Sequence, residues 1–209
     1  MMMILLSSFY LAPVEYYAAL FHAEEAFIEI HDNYLKQSYR NRCIIGGANG
    51  PLPLSIPVEK PKKAKSQTKD ICIAEHGEWR HLHWNAIVSA YNSTPFFQYF
   101  EEDFRPFYEK RFRFLHDFNE ELRQLICRFI GIETPCNYTS KYIKEPPSNT
   151  IDLREAIDPK KPSSYETDRY YQVFTEKWGF RPNLSIIDLL FNLGNEARLY
   201  LIHHPYRPI

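Results

Sequence analysis

Residues 4–30, ILLSSFYLAPVEYYAALFHAEEAFIEI, decide the fold. Ile4 to Phe9 is a short apolar run with the length of a strand. Tyr10-Leu-Ala-Pro13 follows as a turn, with proline placed to open a helix. Val14 to His22 reads as that helix, with Tyr16, Tyr17, Leu20 and Phe21 available for one face. Ala26 to Ile30 is a second strand. Strand, helix and strand in so short a stretch make a right-handed βαβ unit, which places the chain in the α/β class.

Working outward, Arg42 to Ile45 and Leu52 to Val58 read as two more strands, joined through Gly46-Gly-Ala-Asn-Gly50. That connector suits a hairpin with positive φ. It is no phosphate loop, because it lacks the lysine–serine ending and no helix follows it. Residues 60–69 are lysine-rich and read as a solvated loop, and Ile71 to Ala74 as one more strand. Trp79, Leu82, His83, Ala86, Ile87, Ala90 and Tyr91 fall on one helical stripe. Thr94-Pro95 has the chemistry of a helix start, and the helix it opens is expected to break or kink near Pro106. Leu115, Phe118, Leu122, Leu125, Ile126 and Phe129 form another stripe, closed by Gly131. Residues 135–165 are rich in proline and small polar residues, so mostly loop is expected there, with a short helix around Asp152 to Ile157. Ser185 to Asp188 has capping-box spacing ahead of a helix apolar on nearly all sides, which Gly194 can close. The expectation is one domain over residues 1–209: a mixed sheet in 1–75 with an N-terminal βαβ unit, then a mostly helical 76–209 interrupted by the irregular 135–165.

Apolar residues make up 44% of the chain, enough for a sizeable core. Against 26 acidic residues stand 25 Lys and Arg, which argues against nucleic acid as the main ligand. Cys43, Cys72, Cys127 and Cys136 are widely spaced without a C-x-x-C pair, so free thiols in a reducing cytosol are expected, and no metal site. His81 and His83 point to different faces of one helix, which argues against a shared metal even with His76 nearby. The apolar start, Met1 to Leu6, lacks a basic leader, and no run is long enough to span a bilayer. A cytoplasmic, soluble protein is the expectation, and no cofactor is implied.

Several segments together resemble the WbqC-like family. Phe27-Ile28 leading to Asp32, then Lys36, Asn41-Arg42 and Ile44, is similar to its pattern of a hydrophobic strand, an acidic end, a lysine and an Asn-Arg pair. Gly50, Leu54 and Pro57-Val58 look like its next strand. Trp79, His83, Tyr91, Pro95 and Phe97 to Tyr99 resemble its central helical stretch, and Leu184 to Gly194 its C-terminal signature. The sequence departs from the pattern in three places. Only Tyr10 carries over from the family's N-terminal Gln-Pro and Pro-Trp features. His31 stands where an acidic residue is common, and residues 135–165 replace a glycine-bearing segment of longer members. The resemblance implies a place in surface-polysaccharide (O-antigen) synthesis, where a glycine-transferring role has been suggested for some members.

The most suggestive constellation is His31, Asp32, Tyr34, Lys36, Asn41 and Arg42, just past a strand's carboxyl end, where α/β sheets bind ligands. Lys36 and Arg42 there can hold the phosphates of a nucleotide sugar, and Asp32 or His31 can act as general base. The competing reading is a structural Asp32–Arg42 salt bridge beside a solvated Lys36. His83 is a second candidate for proton transfer, or a hydrogen-bonded core histidine. Trp79 can stack on a sugar or pack in the core. Asp188 reads as a helix cap, Asn192 as either a structural bracket or a ligand contact, and His203-His204 as incidental. The leading function is acyl or aminoacyl (glycyl) transfer onto an amino sugar from a donor that arrives activated, since no ATP-binding loop is present. Its rival is a non-catalytic protein that binds a sugar nucleotide or a partner.

Overall fold

The computed structural model describes residues 2–60, 66–163 and 165–207. The N-terminal unit folds as its pattern predicts: strand β1 (Met3–Ser7), helix α1 (Val14–His22) and strand β2 (Glu25–Glu29). β1 and β2 pair in parallel, Met3 opposite Glu25 through Ser7 opposite Glu29. Ile4, Leu5 and Leu6 are all buried, as a strand covered on both faces requires. Two three-residue strands complete this sheet, β5 (Cys136–Tyr138) beside β2 and β6 (Thr150–Asp152) beside β1, giving the all-parallel order β5-β2-β1-β6. Strands β3 (Arg42–Gly47) and β4 (Gly50–Ser55) form a separate antiparallel hairpin. Both kinds of pairing are thus present, divided between two sheets. The tight turn at Ala48-Asn49 uses a positive φ at Gly50. Pro51 and Pro53 leave β4 without two N–H donors, which suits a strand at a sheet edge.

The helices are α2 (Trp79–Tyr91), α3 (Phe97–Glu109), α4 (Leu115–Ile130), α5 (Thr175–Trp178), α6 (Ile186–Leu193) and α7 (Glu196–His203). Helix α6 is the hub. It packs on α1, α3, α7 and β3, and every residue from Ile186 to Asn192 is buried. Phe191 at its centre meets Phe97 and Phe104 edge-on at 5.3 Å and lies 6.1 Å from Phe100.

Several expectations are corrected. Residues 71–74 make isolated bridges, Ile73 to Val58 and Cys72 to Phe114, instead of a strand. Residues 60–69 hold a single 3-10 turn at Thr68–Asp70, and 61–65 lie outside the described residues. Thr94 closes α2 instead of opening α3, its hydroxyl donating to the Tyr91 carbonyl at 2.6 Å. Pro106 does not break α3, which runs on to Glu109; the helix forgoes the one bond that residue 106 would donate to the Glu102 carbonyl and ends within a turn. Asp152 to Ile157 forms turns, because Asp152 is already held in β6. Ser185 caps nothing with its side chain, which donates to the Leu11 carbonyl at 2.8 Å and ties α6 to the turn before α1.

Candidate functional site

The parallel sheet defines the place to look. From β1 the chain builds outward through β2 to β5 on one side and only then returns to place β6 on the other, so the strand order reverses between β1 and β6 and a crevice opens at their carboxyl ends. Ser7, Glu29 and Asp152 are the last residues of the three strands.

Two arginines organise the crevice. Arg40, in the connection before β3, is 3% exposed. Its Nη2 donates to the Ser7 hydroxyl at 2.9 Å and to Asp32 Oδ2, while its Nε has no hydrogen-bond partner. The other Asp32 oxygen accepts from the Thr68 hydroxyl. Helix α4 braces this loop, Asn119 donating to the Arg40 carbonyl at 2.8 Å. Arg154 forms a two-pronged pair with Asp152, Nε to Oδ1 at 2.9 Å and Nη2 to Oδ2 at 2.6 Å. Its Nη1 reaches the Ile143 carbonyl at 2.6 Å and Glu29 at 3.4 Å. Burial raises the Asp152 carboxyl, but the Arg154 guanidinium outweighs it and holds the group below the ordinary aspartate value. Glu29 is fully buried and also accepts from the His31 N–H (2.8 Å), the Thr139 hydroxyl (2.8 Å) and the Ile143 N–H (3.0 Å).

Between the two pairs lies a cleft of about 210 Å³ bounded by Asp32, Arg40, Tyr142, Asp152, Arg154 and Glu155. Three lining carboxylates, Asp32, Asp152 and Glu155, therefore meet two guanidiniums, and the buried Glu29 stands behind Arg154. The pocket keeps a negative excess, which disfavours a bare phosphate inside it and favours hydroxyl and ammonium groups. A larger cleft, of about 880 Å³, follows residues 59–60, 66–75 and 111–114. Glu75 there already engages Arg80 and Arg111, and no strand end points into it, so size alone does not make it the site.

The sequence-predicted residues separate into groups. Asp32 sits in the crevice. Tyr34 lies near it, its phenol pushed up to about 12 by burial against the opposing pull of Arg40 and Arg42. His31 contributes its backbone N–H to Glu29, and Lys36 is exposed. Arg42 is not the partner of Asp32. It pairs across the hairpin with Ser55, its Nε donating to the Ser55 hydroxyl at 2.9 Å, and Arg40 takes the carboxylate instead. Asn41 holds the Ile56 carbonyl at 2.8 Å.

His83 and Trp79 stand apart from the crevice lining. His83 Nδ1 accepts from the Tyr10 hydroxyl at 3.0 Å, and Tyr10 in turn meets Tyr108 Oη at 2.9 Å. Burial pulls its pKa down to about 4 against the Ser55 carbonyl, so the ring is neutral near pH 7 and donates to that carbonyl. Trp79 is buried edge-on to His83 and Phe118. Asn192 bonds the Asp188 carbonyl one turn back at 2.7 Å. Asp188 is no cap; it accepts from Tyr91, Tyr170 and Gln172 in the core. Glu29, Arg40, Thr68, Asp152 and Arg154 escaped the sequence reading. Glu29, as the polar last residue of an apolar strand, carried the most legible signal.

Among the described residues no three metal-ligating side chains converge, and no helix is long and apolar enough to cross a membrane. The uncharacterized protein Rv1507c of Mycobacterium tuberculosis (strain ATCC 25618 / H37Rv) is 24% identical over 212 residues, covering 89% of this chain and 91% of that protein. No solved structure matches. The WbqC-like protein family matches over residues 8–162, a span that includes Glu29, Asp32, Arg40, Asp152 and Arg154. The chain belongs to the WbqC-like protein family.

Proposed function

We propose that the strand-end crevice binds an amino sugar and that the protein transfers an acyl or aminoacyl group onto its amine during surface-polysaccharide synthesis. The observation that carries this reading is the crevice itself: an excess of carboxylates over guanidiniums on its lining. An ammonium answers that excess, and the carboxylates' remaining acceptor sites take ring hydroxyls. Asp32 keeps lone pairs beyond those used by Arg40 and Thr68. In the transfer the bound ammonium gives one proton to Asp32 and thence to solvent, the freed amine bonds the acyl carbon, and the bond to the donor's leaving group breaks as that group takes the nitrogen's second proton. Exposed Lys36 and the hairpin's Arg42 lie outside the cleft, where they suit the phosphates of a sugar nucleotide. The acyl donor arrives already activated.

Calorimetric titration with glucosamine and with glucose tests the ligand class. Binding of the amine alone, lost in Asp32→Asn, is expected; equal binding of both sugars, or of neither, sinks the proposal. A second reading, a sugar-binding protein without catalysis, has its own support, since no Ser, Cys or His lines the cleft among the described residues. An acyl-thioester consumption assay with the bound sugar separates the two: consumption supports transfer, and binding without consumption supports the second.

A further inference from the structure

Cys127 and Cys136 lie outside the crevice and have no part in the proposed transfer. Cys127 is in the last turns of α4 and 8% exposed, whereas Cys136, the first residue of β5, is half-buried. One nitrogen touches both sulfurs: Arg123 Nη1 donates to Cys127 Sγ at 3.7 Å and to Cys136 Sγ at 3.2 Å. Arg123 is itself held by Glu120, Nε to Oε2 at 2.8 Å. Beside the thiols opens a cleft of about 330 Å³ that Glu120, Arg123, Thr134 and both cysteines line.

We propose that Cys127 and Cys136 are a reversible disulfide site, oxidised by a low-molecular-weight disulfide. The more exposed Cys136 thiolate attacks one sulfur of the oxidant, forming a mixed disulfide and releasing one thiol. The Cys127 thiolate then attacks the Cys136 sulfur and releases the second thiol. The protein loses two hydrogens, and one oxidant becomes two thiols. Exposure orders the steps, because the outer sulfur meets the reagent and the inner one resolves it. Burial raises both thiols, with Arg123 opposing it, so the exchange runs through a small thiolate fraction. Closure ties the end of α4 to edge strand β5, which pairs with β2 and leads directly to Thr139, a partner of Glu29 at the crevice.

Oxidised glutathione and intact-mass spectrometry test this in a Cys72→Ser background, which removes the other partly exposed thiol. The expected product has lost two hydrogens, and peptide mapping joins Cys127 to Cys136. Adding Cys127→Ser should arrest the protein as a single glutathione adduct on Cys136, with Cys127→Ala as substitute if the serine variant does not fold. A parent protein that accumulates the adduct without closing the ring, or that does not react, overturns the proposal.

Discussion

Asp188 accepts hydrogen bonds from Tyr91 at 3.0 Å, Tyr170 at 2.7 Å and Gln172 at 2.8 Å, and none of these partners is a cation. Burial raises its pKa to about 6 against the lowering pull of the three donors. A carboxyl raised on folding contributes stability at low pH and loses it as pH climbs through the folded value. Between about pH 4 and pH 7 this group should cost the native state roughly 3 kcal/mol. In denaturant melts the wild type should therefore lose roughly that much stability relative to Asp188→Asn as pH rises over that interval; parallel pH profiles would refute the assignment. Arg40 is the second residue whose role is open to test. Arg40→Met leaves Asp32 buried and unpaired and should destabilise by about 3–5 kcal/mol, whereas adding Asp32→Leu should recover most of that loss without restoring sugar binding. Urea titrations and calorimetry on the same two proteins check both halves. Asp32 was legible from the sequence, but its partner was not. Residues 40 and 42 share a face of any extended segment, so periodicity cannot choose between them. The hairpin register chooses: Ser55 lies opposite Arg42, and Arg40 in the preceding turn is left to reach back.

Among the elements, the long periodic ones followed their pattern: β1, α1, β2, the hairpin, α2 and α4 lie where apolar spacing places them. β5 and β6 did not announce themselves. Each is three residues long in a proline-rich stretch, and each exists because β2 or β1 offers a free row of backbone donors and acceptors. The capping chemistry at Thr94 and Ser185 was legible too, but their hydroxyls bond Tyr91 and Leu11 carbonyls instead of helix N–H groups. The close of α6 is tighter than its sequence indicates. Gly194 has φ +56, and a Cβ there would fall 2.6 Å from the Phe96 ring. Gly194→Ala should lower stability by more than about 2 kcal/mol, since backbone strain and overpacking add. A thermal melt within a degree of wild type would show that Phe96 gives way freely.

At the scale of the whole molecule, the family match ends at residue 162, but the core does not. Ile186, Ile187, Leu189, Leu190 and Phe191 are fully buried against elements from both halves. A chain cut after residue 162 should therefore lose its cooperative thermal transition, which circular dichroism reads directly. A sharp transition in the truncated chain would mean that the N-terminal sheet folds alone. The sequence by itself determined the α/β class, the parallel βαβ start, the buried C-terminal helix and the strand end at Asp32. Each of these rests on local periodicity and hydrophobicity, which the chain carries wherever it folds. Only the tertiary structure decided that Arg40 and Arg154 face each other across a cleft, that His83 lies in the core, and that residues 136–152 supply both outer strands. Those outcomes join positions more than a hundred residues apart, such as Glu29 and Arg154, and no short-range pattern encodes a meeting that only the packed sheet brings about.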